Sequence, residues 1–311
     1  MLAIITLILL SWIVFAASQL LPGDLARNIL GNLASTRDVE RMNHELGVDR
    51  PIYEQYWLFI KGIVLHFDFG YSYTNSQEVR TEMLERLPAT ASLTIGAVVV
   101  WLLIGLPVGV ISAVRSRSLV DRFAMGATLL AISAPVYWLG LMGLFFFSED
   151  IGRVANIFPG AGSYVPFSQD PAQWFGSLLL PWLVLAASFA AFYARLLRSN
   201  LIDTMSQDYI RTARAKGLSE RAVIWRHAVR AAITPIITIL GLDIGILLGG
   251  SILTETVFNI PGIGRYAYEG IINSDLPVIQ GTVLFGAFFI VMANLVVDIV
   301  YALLDPRVRY S

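Results

Sequence analysis

Cysteine is absent from all 311 residues, which excludes disulfides, thiolate metal sites and a cysteine nucleophile and leaves the redox compartment undecided. Charge is scarce too: Asp, Glu, Lys and Arg make up 14% of the chain, against about 25% in soluble domains. Lysine occurs only at Lys61 and Lys216. The sequence holds no phosphate-binding GxxxxGK[ST], no zinc-binding HExxH and no GxSxG nucleophile turn, so no catalytic chemistry and no nucleotide-binding loop are legible. His44, His66 and His227 lie far apart in sequence and do not suggest a metal cluster. The alternating segments of about ten residues that mark a membrane barrel are missing.

What remains is apolar. Hydrophobic residues make up 56% of the chain and mean hydropathy is +0.66. A hydrocarbon layer about 30 Å thick takes roughly 20 apolar residues per helix. Six stretches qualify, at 1–21, 89–113, 123–147, 178–194, 234–254 and 278–303. Only helices satisfy every backbone group in lipid without closing a barrel, so an all-α membrane protein with six transmembrane helices is expected. The opening stretch has no basic residue before its apolar run and only Ala16, Ala17 and Ser18 as a weak cleavage pattern, so it is expected to stay as a helix rather than be removed as a signal peptide.

Cations set the orientation. Three lie at Arg115, Arg117 and Arg122, one at Arg153, eight between Arg195 and Arg230, one at Arg265 and two at Arg307 and Arg309. That alternation puts both chain ends in the cytoplasm and the long, net acidic loop 22–87 outside, with a division into 1–87 and a five-helix core 88–311. The charge asymmetry is a membrane signature and gives no reason to expect nucleic acid.

The eight-cation segment is a charged handle on an apolar protein. Ser206 is placed to cap a helix with Asp208 at its start and Arg211, Arg214 and Lys216 toward its end, which matches charge to the helix dipole. Gly217 sits where a left-handed cap is needed, and Ser219 with Glu220 starts a second helix. Leu218, Ala222, Trp225 and Val229 fall on one line of that helix at regular spacing and are expected to pack against something apolar. An amphipathic pair lying on anionic headgroups reads the same way. The small residues Ala213, Ala215 and Gly217 favour close approach by a protein partner.

Ionisable groups within spans usually face protein or water. Asp243, Glu255, Asn294 and Asp298 are the candidates. Asn294 and Asp298, four apart, share a helix face. They suit a translocation path, or an interhelical hydrogen bond or ion pair, the latter favoured for Asp298 near the cytoplasmic side. Gly241 and Gly245 beside Asp243 allow a close helix crossing.

The segment Asp208-Tyr209-Ile210-Arg211-Thr212-Ala213-Arg214-Ala215-Lys216-Gly217-Leu218-Ser219 resembles the EAA loop of ABC importer permeases of the dipeptide, oligopeptide and nickel branch. So do Leu21-Pro22-Gly23-Asp24, Leu46-Gly47-Val48-Asp49-Arg50-Pro51, Asp68-Phe69-Gly70-Tyr71-Ser72, Arg86-Leu87-Pro88-Ala89-Thr90, Thr254-Glu255-Thr256-Val257-Phe258, Pro261-Gly262-Ile263-Gly264 and Leu303-Leu304-Asp305-Pro306-Arg307. The likeness covers nearly the whole chain. It departs where Arg211 and Thr212 replace the Glu and Ala of the general pattern, and where Met1 opens directly into apolar residues without the usual basic leader.

The resemblance implies a type I importer permease in the bacterial cytoplasmic membrane, with helices at about 206–232 coupling to ATPase subunits that carry ATP and Mg²⁺. It implies a second permease subunit, two ATP-binding subunits and an extracytoplasmic solute-binding protein. Asp208, Tyr209, Arg211, Thr212, Ala213, Arg214, Ala215, Lys216, Gly217 and Leu218 would couple to the ATPase. Pro261, Gly262, Gly264 and Tyr266 would belong to a re-entrant outer gate. The loop 22–87, with Tyr53, Tyr56 and Trp57, would dock the binding protein or lie on the bilayer. A different class, an ion-coupled secondary transporter, commonly carries inverted repeats, and no internal duplication is visible. An intramembrane enzyme would need a paired nucleophile and base or a ligand set within the spans, and none is read there.

Overall fold

The structure, a computed structural model, describes residues 2–20, 35–46 and 50–304. The resemblance motifs at 21–24, 47–49 and 305–307, and the C-terminal end carrying Arg307 and Arg309, lie outside them. Among the described residues there are helices and two isolated bridges, but no strand. In chain order the helices are α1 (Leu2–Leu20), α2 (Thr36–Leu46), α3 (Ile52–His66), α4 (Val79–Val114), α5 (Leu119–Ser133), α6 (Val136–Phe147), α7 (Pro171–Met205), α8 (Asp208–Ala215), α9 (Glu220–Ala232), α10 (Thr234–Leu248), α11 (Ile252–Val257), α12 (Ile263–Ile272) and α13 (Leu276–Leu304).

Three of these, α4, α7 and α13, are individually long and apolar enough to cross a bilayer. The pairs α5–α6 and α9–α10 raise the number to as many as five if each bent pair is one span, and α1 is apolar over the shorter stretch Ala3–Ala17. Two spans expected to be continuous are broken. The stretch 123–147 bends by 97° between α5 and α6. Its cause is Pro135, whose ring forces the preceding Ala134 into an extended conformation (φ −89°, ψ 127°) and which has no N–H to give a helix. The stretch 234–254 ends at Leu248, where Gly250 at φ +124° takes a conformation that side chains rarely adopt. Glu255 therefore stands on the separate short helix α11 and not on the end of a span.

The core is the α4–α7 pair. α4 runs 36 residues, about 54 Å at 1.5 Å per residue, so it overshoots the hydrocarbon, and the boundary expected at residue 88 lies inside it. Gly105 and Gly109 let its backbone meet that of α7: a Cβ would lie 2.8 Å from the Ala190 carbonyl oxygen and 2.7 Å from that of Ala194. Trp101 stacks on Phe189 with ring centroids 4.5 Å apart and is fully buried with Tyr193 and Leu197. A second close crossing joins α10 to α13. Gly241 faces Val297, Gly245 would put a Cβ 2.5 Å from that of Ala293, and Gly249 one 2.9 Å from the Cα of Gly286. Small residues every four positions allow this approach, and dispersion across the contact holds helices that gain little from hydrophobicity in lipid.

Candidate functional site: the basic elbow and the embedded polar groups

α8 begins one residue later than its capping residues suggest. Ser206 closes α7, donating its hydroxyl to the Asp203 carbonyl at 2.7 Å, and Gln207 precedes α8 without a side-chain cap. Asp208 is thus the first helical residue, beside the positive end of the dipole. The other end follows the expected geometry. Gly217 has φ +79°, its N–H donates to the Arg214 carbonyl at 2.9 Å and that of Leu218 to the Ala213 carbonyl at 3.4 Å, the paired bonds of a Schellman cap. Ser219 then accepts from the Ala222 N–H to start α9.

A contact across the glycine fixes the elbow. Arg214 donates from Nε and Nη2 to both carboxylate oxygens of Glu220, at 3.1 and 2.7 Å. This bidentate bond pulls the Glu220 carboxyl below its ordinary pKa and raises that of the guanidinium.

Two expectations about faces are corrected. Ala213 is buried with Ile210 against the chain's own core, so it offers no surface to a partner. A Cβ at Gly217 would meet nothing within 4 Å, so its need for glycine is conformational. In α9 the regular line of Leu218, Ala222, Trp225 and Val229 is not the face turned to the chain's own core, apart from Val229, which packs against it. Residues Val223–Ala228 are a π-helix, whose wider turn rotates the register. Val223, Ile224, Ala228 and Ala232 turn inward, while Leu218 and Trp225 remain 43% and 56% exposed, close in kind to Tyr209 at 48%. Tyr209, Trp225, Arg226, His227 and Arg230 line an open concavity of about 760 Å³. Asp208, Arg211, Thr212, Ala215 and Lys216 are exposed on the same elbow.

Arg198, one of the eight cations, belongs to the scaffold. It forms a bidentate pair with Asp121 at 2.7 and 2.8 Å. Asp121, 3% exposed, also accepts from the Arg117 N–H at 2.8 Å. This ties the start of α5 to the end of α7 beside the elbow.

The embedded polar groups have three different environments. Tyr193 Oη donates to Asp243 Oδ2 at 2.7 Å, an interhelical bond between α7 and α10. Asn294 and Asp298 lie exposed on α13, whose Ala293 and Val297 meet α10. Glu255 is fully buried. It accepts from Thr90 Oγ1 at 2.9 Å, the Ser251 N–H at 3.2 Å and the Arg265 N–H at 2.8 Å. Thr90 Oγ1 in turn accepts from the Ile263 N–H at 2.8 Å. Three separate sequence motifs therefore meet at one point: Thr90 of α4, Glu255 of α11 and the Pro261–Gly264 turn that opens α12. Tyr266 is buried under the Arg86 guanidinium, 4.6 Å from the ring centroid, and Arg86 pairs with Glu82 at 2.9 Å. Pro261 is exposed, Gly262 and Gly264 buried.

The chain is thus built as a multi-pass helical membrane protein, with an exposed charged elbow after α7 and a short helix, α12, between α11 and α13. The family described as the binding-protein-dependent transport system inner membrane component matches residues 105–310, and its N-terminal companion matches residues 1–94. The chain belongs to this family, the inner-membrane permeases of ABC importers. A peptide transport system permease protein by name, from Brucella abortus (strain 2308), is 42% identical, covering 99% of this chain and 96% of the relative. The glutathione transport system permease protein GsiC of Escherichia coli (strain K12) is 38% identical over 98% and 95%. Among solved structures, the MetNI methionine ABC transporter in inward-facing form shares the fold, with TM-score 0.57 over 72% of this chain and 96% of that one at 17% identity.

Proposed function

We propose that this permease forms half of a peptide-import pathway and that its elbow transmits force from a cytoplasmic ATPase. A second, similar permease completes the path. Two ATP-binding subunits carry the ATP and Mg²⁺, and an extracytoplasmic solute-binding protein delivers dipeptides or short oligopeptides. The names of the relatives, peptide and glutathione permeases, support this substrate class.

The observation that carries the coupling is the elbow's construction. It is internally locked by the cap at Gly217 and the Arg214–Glu220 pair, yet it exposes Tyr209, Leu218 and Trp225 among charges unsuited to hydrocarbon. Moving a two-state equilibrium from 1:99 to 99:1 takes about 5.5 kcal/mol of differential binding. An exposed ion pair supplies less than about 1 kcal/mol, whereas burying one large apolar side chain supplies roughly 1.5–3 kcal/mol. Three such side chains seated in a protein groove meet the requirement and ion pairs alone do not. In this reading Asp208, Arg211, Thr212 and Lys216 set register at the rim, and Ala213 and Ala215 hold the elbow's shape. Asp243, Asn294 and Asp298 belong to the path or to the helix contacts beside it, and Pro261, Gly262, Gly264 and Tyr266 belong to the outer gate.

Replacing Gly217 by Val tests this. A β-branched residue at φ +79° is strained by about 1–2 kcal/mol or more, so the elbow should open. The reconstituted assembly is expected to hydrolyse ATP without importing peptide while the chain still inserts normally. Wild-type uptake by that variant would overturn the coupling role.

A further inference from the structure

Glu255, expected among the residues of a translocation path, is fully buried. A buried carboxylate is costly unless its oxygens are paired, and apart from the Ser251 N–H its partners named above serve one purpose. Its oxygens take the Arg265 N–H, in the first turn of α12, and the Thr90 hydroxyl, and that hydroxyl takes the Ile263 N–H at the first position of α12. Those N–H groups have no partner within a helix, and the positive end of the dipole favours the carboxylate. Glu255 and Thr90 together do the work of a helix cap, delivered from two other elements.

The glycines of the turn follow from the same contact. A Cβ on Gly262 would collide with the Glu255 carboxyl and come within 2.6 Å of Thr90 Oγ1, and one on Gly264 would come within 2.7 Å of the Ile252 N. The far end of α12 is held separately. Asp275, 1% exposed, accepts from Ser72 Oγ at 2.6 Å and the Thr74 N–H at 3.0 Å, and its own N–H donates to the Gly270 carbonyl at 2.8 Å.

We propose that Thr90 and Glu255 are positioning residues for the outer gate: they pin the first turn of α12 to α4, setting its closed position, while Asp275 anchors the other end as a pivot. This rests on the reading of α12 as the gate. Releasing the pin frees the Glu255 end of α12 and leaves the Asp275 end in place.

Because the chain contains no cysteine, a single introduced thiol reports the motion directly. Ile260, beside the pin, and Val278, beside the pivot, are each 2% exposed. Ile260→Cys and Val278→Cys would be made in the full chain, assembled in its membrane, and treated with a membrane-impermeant maleimide. Both are expected to react slowly in the otherwise wild-type background. Adding Glu255→Gln or Thr90→Val, each of nearly unchanged volume, should speed labelling of the thiol at 260 by roughly tenfold or more, the order expected for losing a buried charge-assisted hydrogen bond. The thiol at 278 should stay protected and Thr90→Ser should restore protection at 260. Equal labelling at 260 with and without the pin would overturn the proposal, and so would acceleration at both positions, which marks general loosening. ATP-dependent peptide uptake by the wild-type assembly is measured in parallel. Its absence counts against the importer reading, whereas intact uptake with unchanged labelling counts against the pin alone.

Discussion

Asp121 and Arg198 illustrate what a single residue contributes and how little of it spacing reveals. The two are 77 positions apart, and the arginine looks like one more cation of a basic loop. With Asp121 almost wholly enclosed, removing its charged partner leaves the carboxylate with the Arg117 N–H but no paired charge, so Arg198→Met is expected to cost about 3 kcal/mol, read as a lowered unfolding midpoint of the detergent-solubilised chain. Arg211→Met, on an exposed pair at 3.5 Å, should leave that midpoint nearly unchanged. The Arg214–Glu220 pair carries a pH signature. Because the folded Glu220 carboxyl titrates below its usual value of 4.5, the contribution is fully present above that value and disappears as pH falls through the lower folded pKa. Hydrogen exchange across 208–216 should therefore be slower in wild type than in Glu220→Gln from neutral pH down to about 4.5, and the two should converge below it. A difference that persisted in stronger acid would show that Glu220 acts by something other than its charge.

At the scale of elements, the apolar runs and the turn at Gly217 were readable because each rests on local chemistry: length against hydrocarbon thickness, and a glycine where φ turns positive. The two breaks were not. Ala134-Pro135 lies inside a run apolar enough to span without interruption, and Pro107 and Pro181 sit within α4 and α7 without ending them, so proline alone does not announce which helix will bend. The face that α9 turns to the chain's own core was not legible, because periodicity assumes 3.6 residues per turn and a π-helix does not keep it. Glu255 was misplaced for a related reason: hydropathy carries the fifth span past Leu248, while Gly249 and Gly250 end it. The small-residue rows were legible as candidates, and their partners were not. They make a direct prediction. Gly245→Val should force α10 away from α13, destabilising the chain by about 1–3 kcal/mol through overpacking, whereas Gly126→Val, where nothing lies within 4 Å of a Cβ, should be tolerated. Unfolding midpoints of the two variants compare them under one condition.

Taken as a whole, the molecule places the two ends proposed to be functional far apart along α4 and α7. The pinned helix α12 lies near the start of α4, and the elbow beyond Arg198 at the end of α7. Between them α4 and α7 pack closely at Gly105 and Gly109. The half-pathway was legible only through the family resemblance and the lack of a visible internal duplication, and Asn294 and Asp298 lie exposed on α13 among apolar residues. The most direct test of the account is whether the elbow touches a nucleotide-binding subunit. A photo-crosslinking residue placed at position 218 of the full transporter should yield an ATP-sensitive adduct to the ATPase, and one at the inward-facing position 213 should not. A position-218 probe that reacts only with lipid or water, with and without ATP, would contradict it.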